Sequence, residues 1–260
     1  MHAVADIWQA RAARAGNALR RDVDNDEDDD VTETDETHDH DEHAGPSALA
    51  VTPTLDHDDP AVVAYVAAAI AGATTPTEQA IALYLRIRDG LRYTPWNVAA
   101  TPAGFAASVV ARRVYADGGH CIDKAVLLVA GARHLGIPAR LHFANVRNHI
   151  GTEELERKLG TDLLVFHGYA ELWLDGRYVA ATPAFNRQLC EKLGVDPLEF
   201  DGRSDSIFQA YDAKRGRFME YVQDHGAFDD LPYELMVSEW RRYYKDFRAT
   251  GHWPVPNERV

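Results

Sequence analysis

A chain of 260 residues that is 46% hydrophobic can bury one enzyme-sized core, and a formal charge of -14 would dictate its partners if it were spread evenly. It is not, because residues 1–59 hold 17 Asp and Glu against 4 Arg, which leaves 24 acidic against 23 basic residues for everything after. A near-neutral body behind an acidic arm gives no electrostatic footing for nucleic acid or for an anionic membrane surface, so neither is an expected partner.

In chain order, the opening "MHAVADIWQARAARAGNALRR" has basic residues but no continuous apolar segment, so it does not read as a secretory signal. The stretch "DVDNDEDDDVTETDETHDHDEH" carries too little apolar surface to offset the entropy of ordering. Residues 1–54 therefore read as a disordered acidic tail, ahead of a folded domain over 55–250 and a short C-terminal tail over 251–260. Within the tail, "HDHDEH" mixes imidazole with carboxylate as metal sites do. Without a folded cage it reads as a solvated charge run, and no metal is assigned. The longest uncharged apolar run, Ala61 to Ala73, is shorter than the roughly 20 residues a spanning helix needs. A soluble protein is expected. Its two cysteines, Cys121 and Cys190, form no CxxC pair and no disulfide framework, which suits a reducing cytoplasm.

A helix is expected from Pro60, and a better-marked one follows from Thr75, with Thr75 as N-cap, Pro76 in the first position and Glu78 completing a capping box. "ASVVARRVYADGG" reads as a short helix stopped by Gly118 and Gly119. An apolar helix follows from about His120 to His134, closed by Gly136 with Pro138 beyond. "ARLHFANV" has strand character, and "TEELERKLG" is helical. "LLVFHGYAELWLDGRYVAATPAF" is a hairpin turning on Asp175 and Gly176. A short helix around Leu189, an irregular "DGRSDSIF", a strand "FMEYV" and a terminal helix "YELMVSEWRRYYKDF" complete the chain. Helices first and strands later point to an α+β layer fold.

Cys121 stands at the head of the apolar helix, directly after Gly118, Gly119 and His120. As a free cysteine it can be a small buried hydrophobe. It can also be a nucleophile, because backbone N–H groups at a helix start favour a thiolate and can receive the oxyanion of acyl transfer. A nucleophile needs a base, and the hairpin offers one. Pairing Leu174 with Arg177 and counting outward sets Tyr169 opposite Thr182 and His167 opposite Ala184. His167, Tyr169 and Glu171 then share a face with Thr182, diagonal to His167, where a residue orienting the imidazole would stand.

These residues carry a likeness. A glycine-flanked cysteine heading a helix that ends "ARHLGIPARL", followed by "HGYAELWLDGRYVAATPAFN", resembles the transglutaminase-like superfamily over about Leu55 to Phe247. The resemblance implies a papain-like core, with the nucleophile helix packed on an antiparallel sheet and Cys121 and His167 as the catalytic pair. Where the family pattern has aspartate before proline, this chain has Thr182 before Pro183. A neutral hydroxyl hydrogen bond contributes about 0.5–1.5 kcal/mol against about 1.5–3 for a charged one, so the imidazolium would lose roughly one pKa unit of support. Glu171 is a possible substitute acid.

The resemblance further implies thiol-dependent acyl transfer or hydrolysis of a peptide or amide bond, with no metal or cofactor. Two rivals stay open: an acyltransferase passing the thioester to an amine, and a non-catalytic binding module in which Thr182 marks lost chemistry. Trp96 and Asn97, upstream of the cysteine, are candidates for an oxyanion or substrate-lining role, with core packing the simpler role for Trp96. Tyr169 and Glu171 are further candidates for the substrate wall. Asp123 and Lys124 read as a first-turn acid and a solvated lysine, and Cys190 as structural.

Overall fold

The first two full helices start where their caps dictate. α1 (Pro60–Ala69) begins under Asp59, whose carboxylate accepts the Ala61 N–H at 2.8 Å. α2 (Pro76–Gly90) begins under Thr75, with both bonds of the capping box formed between Thr75 and Glu78. The structure, a computed structural model, describes residues 44–113, 118–148, 153–207, 219–245 and 247. The acidic run with its "HDHDEH" tract and the C-terminal tail lie outside them.

α3 (Ala107–Arg113) leads to α4 (Cys121–His134), the apolar helix that Cys121 heads. Every residue of α4 from Ile122 to Arg133 is buried, because α1, α2 and α3 pack on one side of it and the sheet on the other. A helix enclosed almost all round is mostly apolar, and the charged side chains it does bury, Asp123, Lys124 and Arg133, are held by hydrogen bonds to backbone groups. Gly136 follows it at φ 74°, the left-handed position that closes many helices.

The sheet has four antiparallel strands, β1 (Ala139–Asn148), β2 (Leu163–Leu174), β3 (Arg177–Ala181) and β4 (Met219–Phe228), in the order β3-β2-β1-β4. Asp175 and Gly176 both take positive φ, 50° and 84°, as a two-residue hairpin turn requires, and Leu174 pairs with Arg177 as the turn dictates. The ladder closes at Ala170–Ala181. Beyond it the Thr182 N–H turns to the carbonyl of Ser206. α5 (Glu153–Leu159) and α6 (Arg187–Leu193) occupy connections between strands, and α7 (Tyr233–Tyr243) follows β4.

Two expectations are revised. β4 runs to Phe228, well past "FMEYV", because pairing with β1 carries it through polar residues that have no strand propensity of their own. The structured body also begins before residue 55. Pro46–Leu49 form a short 3-10 helix with Ala48 buried, Arg133 donates to the Ala50 carbonyl at 2.6 Å, and Thr52 and Thr54 both donate to Asp230. The acidic run stops at His43, and the uncharged "GPSALAVTPT" after it has groups to bury.

Candidate active site

The loop ahead of Cys121 is held as a short stretch of sheet. Tyr93 bridges Gly119 in parallel, with Gly119 donating to the Arg92 carbonyl at 2.9 Å and Thr94 to the Gly119 carbonyl at 3.0 Å. Gly118 sits at φ +69°, where a Cβ would lie 2.3 Å from the Arg92 oxygen. His120 is the N-cap of α4, and it exchanges two bonds with Asp123: the Asp123 N–H donates to His120 Nδ1 at 3.2 Å, and the His120 N–H donates to Asp123 Oδ2 at 3.1 Å. This capping box fixes Cys121 as the first helical residue.

β2 brings up the other wall through a bulge. Two residues lie between Leu164 and His167 where one lies between Val146 and Ala144, and Phe166 takes φ 62°, an uncommon conformation for a side chain of its size. The backbone groups freed from the ladder are taken up by side chains. Tyr244 Oη accepts the Val165 N–H at 2.6 Å, Trp240 Nε1 donates to the Val165 carbonyl at 3.1 Å, and Asn145 Oδ1 accepts the Phe166 N–H at 2.9 Å. The bulge is thus built in, and it directly precedes His167.

Cys121 and His167 line one pocket with about 400 Å³ of empty space, together with His120, Tyr93, Trp240 and Tyr244 and a largely aliphatic remainder. Cys121 keeps partial exposure, yet enough protein surrounds its thiol that burial pushes the pKa up to about 11, against the opposing pull of the Gly168 and Ile122 N–H groups. His167 is buried, and desolvation, with a smaller contribution from His120, pushes its pKa down to about 4. The resting pair is therefore neutral thiol and neutral imidazole. His167 Nε2 is buried with no hydrogen-bond partner, the thiol included.

The remaining candidates divide. Thr182 is buried, but its Oγ1 has no hydrogen-bond partner, so a bond from it to His167 is not formed here. Glu171 is committed elsewhere, to Arg140 at 2.7 Å and to His142 at 3.1 Å, and the other nitrogen of His142 meets Asp224 at 2.6 Å. Tyr169 stacks on that same His142, ring centroids 4.6 Å apart. Neither Glu171 nor Tyr169 is among the residues lining the pocket, and neither are Trp96 and Asn97. The Trp96 ring lies under Lys158 at 4.3 Å, and Asn97 donates to the Gly118 carbonyl at 3.4 Å, supporting the loop from behind.

Lys124 overturns its reading as solvated. It is fully buried because α4 has no exposed face, and it donates to the carbonyls of Arg88 and Ala184 at 2.9 and 2.8 Å. Burial pushes its pKa down to about 7. Asp123, equally buried, serves the cap as expected of a first-turn acid. His120, Tyr93, Trp240 and Tyr244 were missed. Only His120 left a signal in sequence, its place beside the cysteine; the others reach the pocket from distant elements.

Unfolded, the His167 ring titrates near 6.5, while in the fold it titrates near 4. Its contribution is whole above pH 6.5 and is lost as pH falls toward 4, because only the unfolded chain binds the proton there. The loss amounts to about 3 kcal/mol. Thermal denaturation of His167→Gln should fall less steeply between pH 7 and 5 than that of the wild type; parallel curves would refute the buried neutral ring.

Residues 64–183 match the family model of the Transglutaminase-like superfamily, a span that includes Cys121, His167 and Thr182. No curated protein matches the chain. Among solved structures, a candidate cysteine protease from Cytophaga hutchinsonii is similar at 16% identity and a TM-score of 0.39, over 70% of this chain and 53% of that one. The chain thus spans about half the length of that protein.

Proposed function

On the premise that residues 64–183 are a transglutaminase-like superfamily domain, we propose that the protein is a thiol-dependent enzyme that cleaves or transfers an acyl group from an amide or peptide-like bond. The observation that carries this reading is the meeting of Cys121, at the start of α4, and His167, with its unpartnered Nε2, in one pocket.

The two pKa directions favour general-base attack over a preformed ion pair. As the sulfur closes on the substrate carbonyl, His167 takes the thiol proton, the new C–S bond forms, and the carbonyl electron pair moves onto oxygen. Collapse of that oxyanion expels the amine, which leaves with the proton from His167, and a thioester remains on Cys121. Water, activated by the same imidazole, then releases the acid; an amine in its place would make the protein an acyltransferase. The N–H of Cys121 helps hold the oxyanion. Thr182 would orient the imidazole through its free hydroxyl, a bond to be made in the complex, where catalytic contacts commonly tighten. The apolar lining supports an uncharged acyl group.

Incubation with p-nitrophenyl acetate and intact-mass spectrometry tests this. Wild type should carry one acetyl group on Cys121, Cys121→Ala none, and the adduct should decay in water. A wild type that takes up no label at Cys121 would mean a binding module on the same scaffold.

A further inference from the structure

We propose that His120 is an additional catalytic residue, donating a hydrogen bond from Nε2–H to the oxyanion that forms when Cys121 attacks; this rests on the acyl-transfer reading of the site.

The ring's chemistry is fixed by the helix cap. Its Nδ1 accepts the Asp123 backbone N–H, a donor that always carries its hydrogen. Asp123 Oδ2 also lies 3.1 Å from Nδ1, but the Asp123 N–H points at that nitrogen and needs its lone pair, so the backbone bond sets the tautomer. With Nδ1 accepting, the neutral ring must hold its proton on Nε2, and an imidazolium would hold one there too. In either state Nε2 is a donor.

That donor has nothing to donate to. His120 is 4% exposed, lines the pocket beside Cys121, and its Nε2 is buried without a hydrogen-bond partner. The ring cannot swing away, because Phe105 stacks on it with centroids 5.8 Å apart and the capping bond holds its other edge. A buried, unsatisfied N–H is costly unless a partner arrives during the reaction, and preorganised donors of this kind contribute most where charge develops. His120 is also close enough to His167 to depress its pKa, which places both rings around one reacting centre. The two imidazoles then have different work: His167 moves the proton, and His120 receives the negative charge on oxygen.

The test compares two reactions of Cys121. Acetylation by p-nitrophenyl acetate passes through an oxyanion, whereas alkylation by iodoacetamide displaces iodide and forms none. His120→Asn keeps a strong helix cap, and so the place of Cys121, but removes the distal donor; His120→Ser repeats the test with a second good cap. Acetylation should fall by about 10²–10³-fold in both variants while alkylation holds at the wild-type rate. Equal falls in the two reactions, or no fall in acetylation, would overturn the proposal. Wild-type protein that is not acetylated at Cys121 would overturn the acyl-transfer reading beneath it, an outcome distinct from wild-type protein that is acetylated no faster than His120→Asn.

Discussion

His167→Ala should slow acetylation of Cys121 at pH 7 by about 10²–10⁴-fold, the range that a positioned general base supplies. The size follows from the thiol. With its pKa pushed to about 11, only about one part in 10⁴ of Cys121 is thiolate at pH 7, so without a base almost no nucleophile is available. The helix start and the Gly168 N–H pull the other way but do not overcome burial. His167 suits the task because it is neutral at pH 7 and its buried Nε2 is unengaged. Stopped-flow release of p-nitrophenolate measures the effect. A variant within about threefold of wild type would remove His167 from the mechanism, since a base worth less than a factor of 10² is not the one described.

Gly118→Ala should cost about 3–5 kcal/mol or prevent folding, among the largest effects a single methyl group can have. Left-handed backbone costs an L-residue about 1–2 kcal/mol before any contact is counted. The added Cβ would also stand 2.3 Å from the Arg92 oxygen, which accepts the Gly119 N–H, so relieving the clash breaks the pairing that sets the loop. Cys121 lies three residues on, and displacement of the loop moves the head of α4. Chemical denaturation gives the stability change. Near wild-type stability would mean that the loop is not held as described.

The local features were the legible ones. Asp175–Gly176 dictated the hairpin and its register, Thr75 with Glu78 dictated the start of α2, and the glycines before Cys121 marked the head of α4. These are short-range rules, each satisfied within a few residues. What failed depends on distant partners. Lys124 looks solvated in sequence because nothing nearby says that α1, α2 and α3 all pack around α4. Glu171 lies on the face counted for it, but Arg140 and His142 from β1 claim its carboxylate. The bulge at Phe166 has no glycine to announce it, and Tyr244, Trp240 and Asn145, which satisfy its backbone, come from two other elements. Of the pocket, Cys121 and His167 could be named from the chain and its family resemblance, whereas the apolar wall from α7 could not.

The central claim is that a neutral thiol and a neutral imidazole share a proton across the pocket, and the pH profile of Cys121 acetylation tests it most directly. With the base neutral above about 4 and the thiol protonated below about 11, the wild-type rate should level off from about pH 5 and stay flat through pH 9. In His167→Ala the rate should instead climb about tenfold per pH unit across that range, following the thiolate alone. A wild-type profile that climbs in parallel with the variant would show that the imidazole takes no part.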